Sequence, residues 1–437
     1  MLSKSSPLRA RLHRIYCYWR FHLARLRPRR VRDTLRWARD VVATARRRRQ
    51  EPRLTVAVDI CALWEPLTGI GWYLYRLIEH LGQRDDVRLR LYGPWLMAGE
   101  GIPEPVAPLP TGPAIEHVIY PTPEGLSFPA WRLMWCLQKA QKLLIAIDGN
   151  ALLHAPNYLL PKHFRLARGV RMATIHDLGF HKVPWSLRPE TLAALNSQLR
   201  HTFASASWLL TDSLAVRDEL LELGAGKTPA ERVCAVHLGP GQLGDEVAGE
   251  LPPEVPTTFA LHVGTLEPRK NLLTLLEAWR QLHQQGQEVP VLVLCGRLGW
   301  KPEGLEEKLE EGTREGWLCH VGYATNEQVA SLYHHACLVL FPSWYEGFGL
   351  PALEAQQAGV PLLCSDIPVL REVAGEGALY LPPDQPAAWA QEVRTLLADP
   401  ELQAQLVQRG RDNVRRFSWQ RCAEETLAVW RQAALAR

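Results

Sequence analysis

The stretch that decides the fold lies at residues 342–354 and reads PSWYEGFGLPALE. A short apolar run, Leu338–Phe341, precedes it and is typical of a buried strand, and a helix is predicted to begin near Leu350 with Pro351 in its first turn. A glycine-containing loop joins the two elements. The unpaired N–H groups at the start of such a helix, together with its dipole, attract phosphate at the carboxyl edge of a parallel sheet. The stretch therefore predicts an α/β fold that binds a phosphate-bearing ligand on this loop.

Strand and helix patterns alternate on both sides of this stretch, beginning at Leu54. Such alternation indicates parallel sheets that helices cover on both faces. A segment rich in glycine, proline and acidic residues, 236–256, interrupts the alternation, and 437 residues are enough for about two domains. The sequence therefore predicts two doubly wound Rossmann-like domains that face a cleft. The predicted parts are a basic amphipathic arm at 1–50, an N-terminal domain at 51–240, a C-terminal domain at 241–400 and, at 401–437, C-terminal helices that cross back to the N-terminal domain.

The composition is that of a globular protein, with 47% hydrophobic and 22% charged residues. Nine cysteines are scattered without a C-x-x-C pair, which indicates reduced thiols and argues against a disulfide framework or a zinc site. The sequence has neither a stretch of 18 apolar residues, as in a transmembrane helix, nor the apolar segment of a secretory signal after its basic N-terminus. We therefore expect a cytoplasmic protein.

The string at 342–354 resembles the Glu-x7-Glu signature of the retaining family-4 glycosyltransferases, which have the GT-B fold. Three further segments resemble parts of that family: 259–279 (FALHVGTLEPRKNLLTLLEAW), 321–332 (VGYATNEQVASL) and 359–373 (GVPLLCSDIPVLREV). The resemblance covers residues 54–430 and is strongest in the second half. It implies that the N-terminal domain binds an acceptor and that the C-terminal domain binds a nucleotide-diphosphate sugar.

The resemblance also implies which residues bind the donor. Arg269 and Lys270 are expected to clamp the diphosphate, because a bidentate guanidinium beside an ammonium suits two phosphates. Glu354 is expected to accept from ribose hydroxyls, and Glu346 to lie against the donor sugar and stabilise charge near the reacting carbon. His176, at the end of a predicted strand, matches the histidine that contacts the donor sugar. The expected catalytic residues are thus Glu346 and His176, and the expected donor-binding residues are Gly264, Thr265, Arg269, Lys270, Tyr323, Gly347, Phe348, Gly349, Leu350 and Glu354.

Gly69-Ile70-Gly71 resembles the N-domain glycine loop of the family, in which Gly69 and Gly71 let the backbone approach phosphate or acceptor. Trp72 stands where many family members carry an arginine, so we expect this loop to serve the acceptor. A Gly-x-Gly pattern is also compatible with a simple tight turn, and a lone histidine such as His176 with a structural role. Asp177 is interpreted as a helix or loop cap.

Metal chemistry is not expected, because the sequence has no Asp-x-Asp motif and no His, Cys, Asp or Glu cluster with the spacing of a metal site. We expect no cofactor, and expect Arg269, Lys270 and helix N-termini to meet the charge of the leaving group. The resemblance favours a bacterial mannosyltransferase of surface-polysaccharide synthesis, which moves mannose from GDP-mannose to a saccharide or lipid-linked saccharide. The alternatives are a hexosyltransferase that uses a UDP-sugar, a phosphorylase or epimerase of the same architecture, and a non-catalytic partner subunit that binds a sugar nucleotide.

The arm carries most of the positive charge. Residues 1–50 hold 16 Lys and Arg against two acids, a net of +14, and because the whole chain carries +4 the remainder carries −10. An acidic body of this kind argues against nucleic-acid binding.

The arm also has an apolar face at helical spacing. It is formed by Leu8, Leu12, Ile15, Tyr16, Trp19, Leu23 and Leu26, and after Pro28 by Val31, Leu35, Ala38, Val42 and Ala45. An apolar face opposite arginines is typical of a helix that lies on an anionic membrane surface. We therefore expect residues 8–49 to attach the protein peripherally to the cytoplasmic face of the inner membrane. Packing on the acidic body and an organellar targeting role are the alternatives.

Overall fold

The computed structural model describes residues 39–40, 42–65, 67, 69–93, 105–118, 145–224, 228–241, 250–300 and 304–436. Two parallel sheets form its core. The first contains the strands β1 (Leu54–Asp59), β2 (Val87–Tyr92), β3 (Ile115–His117), β4 (Leu152–Ala155), β5 (Val170–Ile175), β6 (Trp208–Thr211) and β7 (Val233–Ala235). The second contains β8 (Phe259–Val263), β9 (Val291–Cys295), β10 (Leu318–Gly322), β11 (Leu338–Phe341), β12 (Leu362–Ser365) and β13 (Leu379–Leu381).

Helices cover both sheets. Those of the first half are α1 (Gly69–Gly82), α2 (Gly179–Lys182), α3 (Pro189–Ser205) and α4 (Leu214–Glu222). Those of the second half are α5 (Leu272–Gln284), α6 (Leu305–Glu315), α7 (Asn326–His335), α8 (Leu350–Ala358), α9 (Pro368–Ala374) and α10 (Pro386–Ala398), followed by α11 (Pro400–Val414) and α12 (Trp419–Leu435). The last helix, α12, packs against α1 of the first half. The domain division predicted from the sequence stays a prediction.

The central strands are apolar on both sides because helices bury both faces. All four residues of β4, β6 and β11 are buried, which explains why these strands read as short continuous apolar runs and not as alternating patterns. Trp279, Trp389 and Trp430 are the largest side chains that are fully buried in the helical layers. The predicted α/β class and paired doubly wound architecture are therefore confirmed.

Each sheet reverses its strand order once. The order is β3-β2-β1-β4-β5-β6-β7 in the first sheet and β10-β9-β8-β11-β12-β13 in the second, so the reversals lie between β1 and β4 and between β8 and β11. Ligands of open parallel sheets bind in the crevice at the carboxyl ends of the strands at such a reversal. The loops after β1, β4, β8 and β11 are therefore where the fold places its binding sites.

The end of the basic arm packs on the body. Residues 42–49 are helical, and Ala45 and Arg48 in this helix are buried. Arg48 donates through Nε to Glu116, at 2.5 Å, and through Nη1 to Asp148, at 3.2 Å. At Arg48 the arm therefore packs on acidic side chains and does not face a membrane, because two carboxylates neutralise its guanidinium. Residues 1–38 and Val41, which carry the rest of the predicted membrane face, lie outside the described residues.

The predicted glycine loop is the first turn of a helix. Helix α1 begins at Gly69, so the residues interpreted as a glycine loop are helical. Neither Gly69 nor Gly71 has a positive φ angle, and a Cβ on Gly71 would lie 2.9 Å from the Leu67 side chain. Close packing in this turn, and not a left-handed backbone, thus favours glycine at position 71. Within the described residues, every helix is too short or too polar to span a bilayer.

Candidate active site

The centre of the site is the carboxylate of Glu346, which lies between two cations. Glu346 follows β11, and Arg269 and Lys270 belong to a short 3-10 turn, Pro268–Lys270, that follows β8. Lys270 donates from Nζ to Oε1 of Glu346 at 2.7 Å, and Arg269 donates from Nη1 to Oε2 at 2.9 Å. The strand reversal between β8 and β11 therefore brings Glu346 next to two cations that precede it by 77 and 76 positions in the sequence.

The electrostatics keep Glu346 ionised. Burial alone would raise the pKa of this carboxyl, but the charges of Arg269 and Lys270 outweigh it and hold the pKa at about 2. Burial lowers the pKa of Lys270 in spite of the neighbouring carboxylate, whereas burial raises the pKa of Glu267, which pairs with Arg269 at 2.8 Å. At neutral pH Glu346 is thus a fixed negative charge and cannot act as a proton donor.

The backbone fixes the cation pair. Asn271 directly follows the 3-10 turn with a left-handed φ of 54°, and its side-chain amide donates to the carbonyls of Pro342 and Pro383 at 3.0 and 2.6 Å. The carbonyl of Arg269 accepts from the N–H of Trp344 at 2.9 Å. These bonds join the loop after β8 to the loop after β11, so the positions of Arg269 and Glu346 are set together.

The glycine turn after β8 brings two backbones into contact. Gly264 has a φ of 151°, which side-chain-bearing residues rarely adopt. Its carbonyl oxygen occupies the space that a Cβ on Gly296 would need. The next residue, Thr265, is exposed on this turn. Glycine is therefore favoured at position 264 by its backbone conformation and at position 296 by the close approach of the Gly264 carbonyl.

Glu354 lies in the first turns of α8, the helix that follows the loop of Glu346. Its carboxylate accepts from the hydroxyl of Tyr333 at 2.8 Å, and burial raises the pKa of Glu354. It lines a narrow cavity of about 90 Å³ together with Leu350, and Trp72 and Arg76 of α1 close the other side. A hydroxyl-bearing ligand in this cavity would meet one carboxylate and an aromatic wall.

Gly349 and Phe348, in the loop after β11, are explained by backbone conformation and by packing. Gly349 has a φ of 95° directly before α8, a left-handed conformation that favours glycine. Phe348 is buried and packs edge-on against Phe417, with ring centroids 5.9 Å apart. Phe348 is therefore a core residue in this conformation. Tyr323, expected to bind the donor, is 69% exposed, and the guanidinium of Arg297 lies 4.3 Å from the centroid of its ring.

His176 is anchored inside the first half. Its Nδ1 lies 2.7 Å from Asp212, and its Nε2 lies 2.8 Å from the carbonyl of Pro156. A carbonyl only accepts, so Nε2 carries a proton. Burial would lower the pKa of His176, but the Asp212 carboxylate outweighs it and raises the pKa. Both ring nitrogens are thus engaged, and a contact with a donor sugar through either one would need the ring to give up a partner.

The loop after β11 also touches the first half of the chain. A Cβ on Gly347 would overlap the carbonyl oxygen of His176, and the hydroxyl of Ser213 donates to the Gly347 carbonyl at 2.8 Å. The hydroxyl of Tyr345 accepts from the N–H of Leu178 at 2.9 Å. Only glycine fits at position 347, because the two halves meet there backbone to backbone.

Asp177, interpreted as a cap, accepts from the N–H of Gly179 at 2.9 Å at the start of α2. Sequence reasoning missed two acids of the site, Asp212 and Glu267. Asp212 directly follows β6, so the strand-end argument that selected His176 after β5 could have found it. Glu267 stands two residues before Arg269, and an acidic residue so near a basic one could have indicated that the two form an ion pair. In the described part of the chain no group of three His, Cys, Asp or Glu side chains is arranged to hold a metal ion.

Comparisons with known proteins show the family of the chain. The model of the glycosyl transferases group 1 matches residues 248–413. The O-antigen chain mannosyltransferase B of Escherichia coli is 31% identical over 380 residues, which cover 84% of this chain and 96% of that protein. The serotype-specific mannosyltransferase WbdA of Escherichia coli is 34% identical over 166 residues, 37% of this chain and 20% of that protein.

Among solved structures, a sucrose-phosphate synthase from Thermosynechococcus elongatus has a similar fold. The TM-score is 0.64 at 22% identity, with 88% of this chain and 100% of that chain covered. At this identity the likeness shows the GT-B fold alone, while the full-length sequence relative shows the family. The chain belongs to the family-4 glycosyltransferases, the group 1 glycosyl transferases, and is a hexosyl-transferring enzyme of the GT-B fold.

Proposed function

We propose that the protein transfers mannose from GDP-mannose to a saccharide or lipid-linked saccharide acceptor of surface-polysaccharide synthesis, with retention of the anomeric configuration. The observation that carries the proposal is the carboxylate of Glu346 held between Arg269 and Lys270 at the strand reversal of the second sheet. Support for mannose comes from the two mannosyltransferase relatives, one of which matches over nearly its whole length.

In this proposal the two cations bind the diphosphate. Arg269 has five N–H donors and Lys270 has three, and their bonds to Glu267, Tyr345 and Glu346 leave at least one donor on each for phosphate oxygens. The turn at Gly264 and Thr265 lets the backbone approach the same phosphates. Negative charge that develops on the leaving nucleotide is met by these groups and by the start of α8 after Gly349, without a metal ion.

Glu346 acts as a fixed negative charge beside the reacting carbon. Because its pKa is held at about 2, it stays ionised through the reaction and stabilises positive charge on the sugar ring. Donor phosphates that draw Arg269 and Lys270 towards themselves would leave more of this negative charge for the sugar. Glu354 is proposed to accept from the ribose hydroxyls, and His176 to shape the sugar pocket from the first half of the chain.

The test is a panel of nucleotide sugars. Thermal shift and calorimetry with GDP-mannose, UDP-glucose and other nucleotide sugars identify the donor, and incubation with mannoside acceptors shows transfer. GDP-mannose should bind most tightly and give a mannosylated product. Preference for a UDP-hexose would replace the donor, and binding without transfer to any acceptor would point to a non-catalytic partner subunit.

We also propose that the basic arm attaches the enzyme to an anionic membrane surface at the cytoplasmic leaflet, where a lipid-linked acceptor is concentrated. The support is its net charge of +14 over residues 1–50 and the apolar face opposite the arginines. Because Arg48 is bound to Glu116 and Asp148, the contact is assigned to the part of the arm that precedes it.

A further inference from the structure

Tyr345 joins the loop of Glu346 to the first half of the chain. It directly precedes Glu346 and is buried. Its hydroxyl donates to Oε2 of Glu219 at 2.8 Å and accepts from the N–H of Leu178 at 2.9 Å. Burial raises the pKa of Tyr345 and the carboxylate of Glu219 raises it further, so the hydroxyl keeps its proton at neutral pH. One hydroxyl therefore makes a donated and an accepted bond to the first half, one residue away from Glu346.

Helix α4 provides the first-half side of this contact. Glu219 lies in α4, and Ser213 is the N-cap of the helix, since its side chain accepts from the N–H of Val216. The same hydroxyl donates to the carbonyl of Gly347 at 2.8 Å. The residues before and after Glu346 are therefore both bonded to one helix and its cap.

The N-terminus of α4 is also fixed to the second half. Glu372 of α9 accepts from the N–H groups of Leu214 and Ala215, at 2.7 and 2.8 Å. These N–H groups have no partner within the helix, and a carboxylate is favourable at this end of the helix dipole. Burial would raise the pKa of Glu372, but the hydrogen bonds from His237 and from the two N–H groups outweigh it and lower the pKa. Helix α4 and Glu219 thus have a fixed position relative to the second half.

The segment at the start of α4 also holds His176. Asp212, directly before the N-cap, lies 2.7 Å from Nδ1 of His176. Residues 212–219 therefore contact His176 and both sequence neighbours of Glu346. The two expected catalytic residues lie in different halves, so their separation depends on where this segment holds the loop of Glu346. A displacement of about 1 Å at a reacting centre can lower a rate about 100-fold.

The hydroxyl of Tyr345 is separate from the cation clamp. Arg269 donates from Nη1 to the backbone carbonyl of Tyr345 at 2.9 Å, and this bond does not involve the side chain. Removal of the hydroxyl therefore leaves the contacts of Arg269 and Lys270 with Glu346 in place. Catalysis and diphosphate binding should respond differently to such a change.

We propose that Tyr345 is a positioning residue, whose hydroxyl bond to Glu219 holds the Glu346 carboxylate where sugar transfer requires it relative to His176. The inference rests on the proposed function of Glu346. It adds a residue that acts through Glu346 and does not itself contact the substrate.

The test uses variants of the full chain. Tyr345→Phe keeps the ring and removes the hydroxyl. Glu219→Gln keeps an oxygen that accepts from the Tyr345 hydroxyl, whereas Glu219→Leu does not. Tyr380→Phe is the matched control, because the Tyr380 hydroxyl donates to the carbonyl of Leu370 at 3.3 Å, within the second half. This control also removes one tyrosine hydroxyl bond, but not one that joins the two halves.

Three properties are measured at a temperature where urea unfolding shows each variant to be folded. A transfer assay gives kcat and the donor KM, calorimetry gives the GDP affinity, and mass spectrometry follows hydrogen–deuterium exchange at residues 343–349. We expect Tyr345→Phe and Glu219→Leu to lower kcat about 10-fold or more, with an unchanged donor KM and GDP affinity and with faster exchange at 343–349. Glu219→Gln should restore kcat to within about 2-fold of the wild type.

The double variant tests whether the two residues act through one bond. Tyr345→Phe should have little further effect on kcat when it is added to Glu219→Leu. Tyr380→Phe should lower the free energy of unfolding and leave both kcat and the exchange at 343–349 unchanged.

Wild-type kcat in the folded Tyr345→Phe variant would overturn the proposal. A loss of kcat that Tyr380→Phe reproduces would do the same, because it would indicate a general loss of stability. If the wild type transfers no sugar to any acceptor, the proposed function fails, and the exchange experiment decides separately whether Tyr345 holds the loop. Equal exchange at 343–349 in the wild type and in Tyr345→Phe would then overturn the positioning role.

Discussion

Replacing Arg269 with Gln tests the cation clamp, the proposed binding of the donor diphosphate by Arg269 and Lys270. Arg269 donates to Glu346 at 2.9 Å and to the Tyr345 carbonyl at 2.9 Å, and pairs with Glu267 at 2.8 Å. In the proposed complex it also donates to the diphosphate. A charged hydrogen bond contributes roughly 1.5–3 kcal/mol, so the affinity for GDP should fall about 10- to 150-fold. The affinity for GMP, which lacks the second phosphate, should fall less.

The same substitution leaves two buried carboxylates, Glu267 and Glu346, with Lys270 as the remaining neighbouring cation. Removing one partner of a buried ion pair costs about 3–5 kcal/mol, and because the Arg269 side chain is 20% exposed we expect the lower end. Urea unfolding measures this loss. Arg269→Lys, which keeps the charge but not the planar fork, should lie between the wild type and Arg269→Gln in both measurements.

Calorimetry with GDP and GMP is the assay, at a temperature where urea unfolding shows each variant to be folded. Arg280→Gln is the matched control, because Arg280 pairs with Glu277 on the solvent side of α5 and should leave nucleotide affinity unchanged. Equal weakening of GDP and GMP by Arg269→Gln would remove Arg269 from the diphosphate site. Unchanged GDP affinity in the folded variant would do the same.

Three further outcomes are expected. Glu346→Gln should lower kcat about 100-fold or more with little change in donor affinity, because a charge near the reacting carbon is lost. Glu354→Gln should mainly weaken donor binding. Near-wild-type kinetics in both variants would refute the assigned site. EDTA should leave transfer intact, and activity that is abolished by chelation and restored by Mg²⁺ or Mn²⁺ would contradict the cation clamp. Full-length protein should sediment with anionic vesicles, and less of it should do so at high salt. A chain that starts at Glu51 should stay in solution. Full-length protein that does not bind these vesicles would indicate that the role of the arm is to pack on the body.

The regular parts of the fold follow from local patterns. The predicted strand Leu338–Phe341 and the predicted helix start near Leu350 coincide with β11 and the start of α8, because both-face burial produces short apolar runs and Gly349 with Pro351 marks the helix start. The edge strands β3 and β7 were not predicted, since three residues are too few to show a period. Gly69 and Gly71 suggested a loop, although both residues lie in the first turn of α1.

The cluster around Glu346 was predictable in part for a geometric reason. Strands β8 and β11 are neighbours, so residues just after them, such as Arg269 and Glu346, must meet at one edge. Contacts between the two halves were not predictable, because they depend on how the sheets face each other. The overlap at Gly347 is of this kind. The bonds of His176 to Asp212 and to the Pro156 carbonyl lie within the first half, and they were not predictable either, because they join residues of three different strand-end loops.

The most direct test of the central claim is the anomeric configuration of the product. GDP-mannose is incubated with the enzyme and a mannoside acceptor, and proton NMR follows the anomeric signal of the new linkage from the first turnovers. A retaining enzyme with Glu346 as a fixed charge predicts an α-linked mannoside that forms at a rate reduced about 100-fold or more by Glu346→Gln. A β-linked product, or an α-linked product formed equally fast by the Glu346→Gln variant, would contradict this account of the reaction.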